Sequence, residues 1–282
     1  MTDFTTRAVL LFGRRARQRS ALRLAATAIL VVILSPFLWL LQLSFRPASD
    51  ALGYNLSFTP TLQNYVELWK GLFPGSFVNS LIVSLSSTAL ALLIGAPAAY
   101  VLARWRFPFR GAIGMWILVT RMAPPIAFTI PFFLAYRHIG LLDTSAGLIL
   151  VYLTFNLALV IWMMQPFFSA VPVQLEEAAW IDGCSVWKAF WTIMLPLAAP
   201  GLAATAVLCF IFSWNDFFYA LILTRTNAIT APVAIVNFMQ YEGWEWGKIA
   251  ASGTLVMLPV VAFTILVRRH LIHGLTAGGV KE

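Results

Sequence analysis

Six long apolar windows limit what this chain can fold into more than any other feature of its sequence. They cover residues 24–43, 77–103, 112–136, 145–165, 201–223 and 249–267. An α-helix rises 1.5 Å per residue, so about 20 apolar residues cross the roughly 30 Å of hydrocarbon in a bilayer. Because lipid offers no partners to backbone polar groups, such windows form helices. We therefore expect an all-α integral membrane protein with six transmembrane helices.

The charged residues support this prediction and orient it. Only 11% of the 282 residues are charged, against about 25% in an average soluble domain. The basic residues concentrate in residues 1–23, 104–110 and 268–282, whereas the alternate loops hold few. The positive-inside rule then places both termini in the cytoplasm. The net charge of +8 lies at span ends and not on one soluble face, so nucleic acid is not an expected partner.

The windows divide the chain into three parts. Residues 1–23 are predicted to be a basic cytoplasmic tail, residues 24–267 a six-helix membrane domain, and residues 268–282 a second cytoplasmic tail. Inside the second window, Ala91, Gly95 and Ala99 recur every four residues and predict a face where helix backbones approach closely. The longest inside segment is 166–200, between the fourth and fifth windows.

The segment 166–200 has the pattern of two short helices joined at a glycine. Pro172 suits the start of a helix, and the acidic residues after it lie near the positive N-terminal end of that helix. Gly183 can take the left-handed conformation that ends a helix. We expect a cytoplasmic helix pair in which Ala178 and Ala179 leave a low surface for another protein to approach.

The same segment carries a motif of fixed spacing. It consists of Glu177-Ala178-Ala179, three residues, Gly183, nine residues, Ile193, one residue and Leu195-Pro196. This motif resembles the EAA signature of the permease subunits of bacterial ABC importers. Residues 214–217 and the ending 274–281 are similar to the MalG-type subunits of carbohydrate importers. The chain thus resembles a MalG-type ABC permease from about residue 24 to its C-terminus.

The resemblance implies that the segment is a coupling helix. Such a helix seats in a groove of a cytoplasmic ATPase subunit and converts ATPase movement into alternating access. The residues implied in ATPase coupling are Glu176, Glu177, Ala178, Ala179, Asp182, Gly183, Ile193, Leu195 and Pro196. The C-terminal tail around Gly278 and Gly279 is implied to lie near the ATPase dimer.

The resemblance also implies partners in the bacterial cytoplasmic (inner) membrane. These are a second homologous permease, two ATPase subunits, an extracytoplasmic solute-binding protein, and a sugar, sugar alcohol or sugar derivative. The sequence contains no G-x-x-x-x-G-K-[ST] phosphate loop, so ATP and Mg would be held by the ATPase subunits. This chain would bind no cofactor and no metal, and it would form half of the pathway without being catalytic itself.

Two charged residues, Arg121 and Asp216, lie inside the apolar windows, and charges in lipid are costly. Arg121 either pairs with a carboxylate such as Asp216, extends its guanidinium to a membrane interface, or contacts a substrate. The nearby Pro124 and Pro125 predict that the third span is not regular throughout. The candidate substrate pathway is Arg121, Asn156, Trp214, Asn215 and Asp216, although helix packing explains the last four equally well.

Two other classes of protein fit the sequence less well. An ion-coupled secondary transporter is the alternative function, but it would carry more intramembrane carboxylates and would not need the EAA segment. A membrane-embedded enzyme would need a catalytic constellation, and the sequence has no zinc signature or nucleophile elbow. The residues leave open which sugar is carried and whether that sugar is anionic.

Overall fold

The computed structural model describes residues 2–50, 58–122, 124–240 and 243–277, and within these ranges the side chains of 22–239 and 244–267. Helices make up most of the described chain. In chain order they are α1 (Thr2–Ser44), α2 (Gln63–Lys70), α3 (Phe73–Arg104), α4 (Arg110–Met122), α5 (Pro125–His138), α6 (Ser145–Ala170), α7 (Val173–Ile181), α8 (Val186–Ala189), α9 (Leu195–Leu197), α10 (Ala199–Trp214), α11 (Phe218–Leu223), α12 (Ala231–Val236) and α13 (Trp246–Ala277).

Four of these helices are long and apolar enough to cross a bilayer. They are α3, α6, the part of α1 from Leu22 to Ser44 and the part of α13 from Trp246 to Val267. Two bent pairs raise the number to six if each pair is one span, namely α4 with α5 at 90° and the α8–α9 segment with α10 at 78°. The predicted class of a helical membrane protein is therefore confirmed. Helix α1 passes residue 23 without a break, so the basic segment is continuous with the first span.

The third predicted span is broken, as its prolines indicate. Helix α4 ends at Met122 and α5 begins at Pro125, with Pro124 in an extended conformation at φ −64° and ψ 131°. Proline has no backbone N–H to donate, so two successive prolines cannot continue the hydrogen-bond ladder of α4. The residue before a proline also avoids the helical region, which places the end of α4 just before this pair.

The fifth predicted span is also broken, and here the expectation of one helix over 201–223 is wrong. Helix α10 ends at Trp214, and α11 begins only at Phe218. The carboxylate Oδ2 of Asp216 accepts a hydrogen bond from the backbone N–H of Ala220 at 3.2 Å. An aspartate that satisfies a backbone donor in this way competes with the helical ladder and starts a new helix.

A small hairpin is an addition to the predicted all-α fold. Strand β1 (Met239–Gln240) pairs antiparallel with strand β2 (Gly243–Trp244), and Met239 lies opposite Trp244. The hairpin directly precedes α13 and lies between α12 and α13. These are the strands of the described part of the chain, and each has only two residues.

The centre of the fold is the contact between α3 and α6. Ala91 and Ala99 on α3 are fully buried and pack in one cluster with Val160 and Met164 of α6. A Cβ placed on Gly95 would lie 2.7 Å from Cγ1 of Val160, closer than van der Waals contact allows. The small residues of α3 therefore let the two helices approach, and α10 packs against both of them.

We expect Gly95→Ala to lower the free energy of unfolding by about 1–3 kcal/mol, because the added methyl group overpacks the contact with Val160. Gly114→Ala is the matched control, since a Cβ there meets nothing within 4 Å. Thermal unfolding of both variants in one detergent would measure the difference. Equal midpoints for the two variants would contradict the close approach at Gly95.

Candidate coupling surface and membrane cavity

Helices α7 and α8 form the pair predicted for segment 166–200, joined at Gly183. Gly183 has φ +82°, in the left-handed region that favours glycine, and its N–H donates to the carbonyl of Trp180 at 3.0 Å. The hydroxyl of Ser185 then accepts a hydrogen bond from the backbone N–H of Lys188 at 3.3 Å and caps α8. The sharp change of direction therefore follows from local sequence.

One face of this helix pair is exposed, and it carries part of the EAA motif. Glu177, Ala178, Asp182 and Gly183 are exposed, so they are available to a partner. Ala179 is 7% exposed and packs inside the chain. The low surface predicted from two alanines thus comes from Ala178 alone, because successive helical residues point in different directions.

Glu176 also lies inside the chain, where it is 1% exposed and pairs with Arg104 at the end of α3. The Nε of Arg104 donates to Oε1 of Glu176 at 2.9 Å, and its Nη2 donates to the carbonyl of Val171 at 2.6 Å. One guanidinium group therefore holds both α7 and the segment that precedes it. We name this contact between Arg104 and Glu176 the inner bridge.

The remaining motif residues form the support beneath α7 and α8. Ile193 and Leu195 are half-buried, and Pro196 is exposed at the start of the bend toward α10. The ring of Phe190 lies 5.1 Å from that of Tyr100 on α3 and 6.0 Å from that of Phe168 on α6. Phe190 begins the π-helical turn Phe190–Met194 that follows α8, so these ring contacts attach the end of α8 to both central helices. Gly278 and Gly279 lie outside the described residues.

A second feature is a cavity of about 410 Å³ where the two broken spans meet. It is lined by Thr120, Arg121, Pro125, Phe128, Phe132, Thr154, Phe155, Phe212, Asp216 and Tyr219. Ligand pockets of about 300–1,000 Å³ with aromatic walls and a few polar groups are typical of small-molecule sites. The cavity therefore has the size and composition of a binding site.

Arg121 and Asp216 both line this cavity, but they do not pair with each other as one alternative expected. The Nη1 of Arg121 donates to the carbonyl of Phe155 at 2.8 Å, and its guanidinium lies 4.8 Å from the centre of the Phe212 ring. Asp216 instead accepts a hydrogen bond from the hydroxyl of Tyr152 at 2.8 Å. Neutral groups thus hold both charges.

The other three pathway candidates lie in different surroundings. Asn156 is fully buried, and its Nδ2 donates to the hydroxyl of Ser213 at 2.8 Å between α6 and α10. Trp214 is 1% exposed, and its indole N–H donates to the carbonyl of Val256 on α13. Both side chains make helix contacts, and Asn215 is exposed beside the break with its amide bonded to its own helix.

Neither the aromatic wall of the cavity nor the inner bridge was predicted from the sequence. The wall residues Phe128, Phe155 and Phe212 lie in apolar windows, where an aromatic residue carries no special signal. The positions of Phe128 near Pro124 and of Phe212 near Asp216 could have indicated these two residues, whereas Phe155 lies near neither break in the sequence. Arg104 directly follows the second window, and its charge was used only to orient the spans in the membrane.

Asp143 fixes the opposite end of the helices that follow the breaks. Its carboxylate accepts hydrogen bonds at 2.8–3.2 Å from the backbone N–H groups of residues 225–228, and its own N–H donates to the carbonyl of Leu223 at 2.8 Å. Partial burial acts to raise the pKa of Asp143, but these donors, with the Thr226 hydroxyl, outweigh it and lower the pKa. The loop after α5 is therefore tied to the loop after α11.

We expect Arg104→Ala to lower the free energy of unfolding by about 3–5 kcal/mol, because it leaves the buried Glu176 carboxylate without its cation. Arg106→Ala, at an exposed position just after α3, should change the free energy of unfolding by less than about 0.5 kcal/mol. Denaturation of the purified proteins would measure both. A double variant, Arg104→Ala with Glu176→Ala, should recover part of the loss, and a loss as large as the sum of the two single variants would contradict a direct interaction.

Comparison with known proteins agrees with this architecture. Residues 91–276 match the family described as "Binding-protein-dependent transport system inner membrane component". The chain is 42% identical to the trehalose transport system permease protein SugB of Mycobacterium tuberculosis, over 94% of this chain and 99% of that protein. It is 34% identical to the trehalose/maltose transport system permease protein MalG of Thermococcus litoralis, over 94% and 97%.

A solved structure shows the same fold. It is a bacterial ABC transporter involved in the import of the acidic polysaccharide alginate, with a TM-score of 0.75, 23% identity, and coverage of 92% of this chain and 98% of that chain. With the family match over 91–276, it follows that this chain is a membrane-spanning member of the binding-protein-dependent transport system inner membrane component family of ABC transporter permeases.

Proposed function

We propose that this chain is a permease subunit of an ATP-driven importer of carbohydrates. The relatives named above belong to transport systems for trehalose or for trehalose and maltose, and another, 33% identical, belongs to a diacetylchitobiose uptake system of Streptomyces coelicolor. The observation that carries the proposal is the exposed face that Glu177, Ala178, Asp182 and Gly183 form at the end of α7. This face presents the start of the EAA motif on a helix pair that is fixed to the membrane helices.

The proposed complex contains the partners that the resemblance implies. A second homologous permease completes the pathway, two ATPase subunits bind ATP and Mg, and an extracytoplasmic solute-binding protein delivers the sugar. Both termini and the helix pair lie on the cytoplasmic side of the bacterial inner membrane, in agreement with the basic residues around them. The tail around Gly278 and Gly279 then faces the ATPase dimer.

The coupling mechanism follows from three contacts in sequence. An ATPase subunit that moves the exposed face of α7 also moves Glu176, and the inner bridge transmits that displacement to the end of α3. Helix α3 packs on α6 without room for sliding at Gly95, because Val160 fills the space beside it. Helix α6 supplies Thr154 and Phe155 to the cavity, so movement at the cytoplasmic face reaches the pathway.

Uptake by the reconstituted complex tests the proposal. Proteoliposomes that contain both permeases, the ATPase and the binding protein should accumulate a neutral disaccharide only when ATP is supplied. A proton ionophore should leave that uptake unchanged. Uptake without ATP that disappears with the ionophore would instead favour an ion-coupled secondary transporter.

The coupling surface has its own prediction. We expect Ala178→Arg to weaken binding of the ATPase subunit by tenfold or more, about 1.4 kcal/mol, because a long charged side chain replaces a methyl group on the exposed face. Ala48→Arg, at an exposed position in the loop between α1 and α2, is the control. Co-purification of the ATPase and ATP-dependent uptake would be measured for both. Normal assembly and transport in Ala178→Arg would remove this surface from the coupling mechanism.

A further inference from the structure

The cavity lies where two spans of the membrane domain are interrupted. Helix α4 ends at Met122 and α5 begins at Pro125, whereas α10 ends at Trp214 and α11 begins at Phe218. Non-helical backbone at membrane depth is tolerated where it is buried in protein or lines a cavity, and not where it faces lipid. Arg121 and Asp216 stand beside these two breaks and line the same cavity. The two breaks therefore border one cavity that has charged groups in its lining.

Both charged side chains keep hydrogen-bonding capacity for a ligand. A guanidinium has five N–H donors, and the described hydrogen bond of Arg121 uses one nitrogen, Nη1, on the carbonyl of Phe155. A carboxylate has about four acceptor positions, and Asp216 receives the hydroxyl of Tyr152 and the N–H of Ala220 on Oδ2. A donor group and an acceptor group thus line one space, each held in place by a neutral partner.

The rest of the wall is aromatic. The rings of Phe155 and Tyr219 are nearly parallel, at 13° and 6.4 Å between centres, and Phe132 meets Tyr219 edge-on at 6.1 Å. Phe128 and Phe212 complete the aromatic lining. A sugar ring has an apolar C–H face and a rim of hydroxyl groups, so it matches flat aromatic surfaces beside a small number of charged hydrogen-bonding groups.

The balance of charge distinguishes between kinds of sugar. The lining contains one cation, Arg121, and one anion, Asp216, so its formal charge is zero. A hydroxyl group can accept from Arg121 and donate to Asp216 and leave that balance intact. A carboxylated or sulfonated sugar would bring a second anion close to Asp216, and the single cation of the lining, Arg121, cannot neutralise both anions.

We propose that this subunit itself binds a sugar unit of a neutral carbohydrate in the cavity, between Arg121 and Asp216, and that this site disfavours anionic sugars. The inference rests on the proposed import function. It adds which part of the pathway contacts the sugar and which charge class of sugar this site accepts. Arg121 acts as donor, Asp216 as acceptor, and the rings of Phe155 and Tyr219 as the stacking surface.

The experiment measures binding to the complete complex of two permeases and two ATPase subunits in lipid nanodiscs, without the binding protein. The probes are the neutral disaccharides trehalose, maltose and diacetylchitobiose, and a disaccharide of two uronic acids as the anionic comparison. The variants are Arg121→Gln and Asp216→Asn. The amide that Asp216→Asn introduces keeps an oxygen for Tyr152 and Ala220, so this variant preserves the fold at the break.

We expect at least one neutral disaccharide to bind at least tenfold more tightly than the diuronate, and each variant to weaken that binding by tenfold or more. Asp216→Asn should also reduce the difference in affinity between the neutral disaccharide and the diuronate, because it removes the negative charge of the Asp216 carboxylate. Arg106→Gln, an exposed arginine outside the cavity, should change neither value. Equal binding of the diuronate, binding that both variants leave unchanged, or no binding of any neutral probe would each overturn the inference.

Uptake separates this inference from the importer proposal. If both variants import a neutral sugar at the normal rate with ATP and the binding protein, the importer proposal stands and the site in this subunit is rejected. If the wild-type complex shows no ATP-dependent uptake of any carbohydrate, the importer proposal itself fails. A variant that lowers uptake while the ATPase remains bound and active supports the site.

Discussion

Lipid gives the backbone of this chain no hydrogen-bond partners, and this constraint determines where its helices continue and where they stop. Helices α3 and α6 keep their ladders across the membrane domain despite a proline in each. The chain leaves the helical conformation at membrane depth after Met122 and after Trp214, and both places border the same cavity. The two breaks are therefore parts of one site, because Arg121 and Asp216, which lie beside them, line the same cavity.

Rigid contacts connect the α7–α8 helix pair to this cavity. The inner bridge fixes α7 to the end of α3, and small residues along α3 bring it against α6 with no free volume at Gly95. Close-packed interiors transmit displacement because they have little space in which to absorb it. Phe155 of α6 then contacts Arg121 through its carbonyl. A displacement of α7 thus has a continuous packed route to the site between the breaks.

The sequence predicted the features that depend on local residues and on the solvent. Apolar length predicted the spans, the prolines after Arg121 predicted the break between α4 and α5, and Gly183 predicted the junction of α7 and α8. The break at Asp216 was missed, since an aspartate in an apolar window can either pair or cap, and only the fold shows which donor reaches it. The inner bridge joins residues 72 positions apart, and helical periodicity contains no information on such a distance.

The inner bridge is unusual because a buried ion pair is a poor way to gain stability. Removing two charges from water costs several kcal/mol per ion, and well-packed apolar side chains often serve a fold as well or better. The rings around Phe190 already attach α8 to α3 and α6. Apolar contacts do not fix the orientation of a helix. Arg104 binds both Glu176 and the Val171 carbonyl through one planar guanidinium group, and it therefore fixes the angle and register of α7. In the proposed coupling mechanism α7 transmits force, which requires a fixed orientation as well as attachment, and the charged pair supplies that orientation.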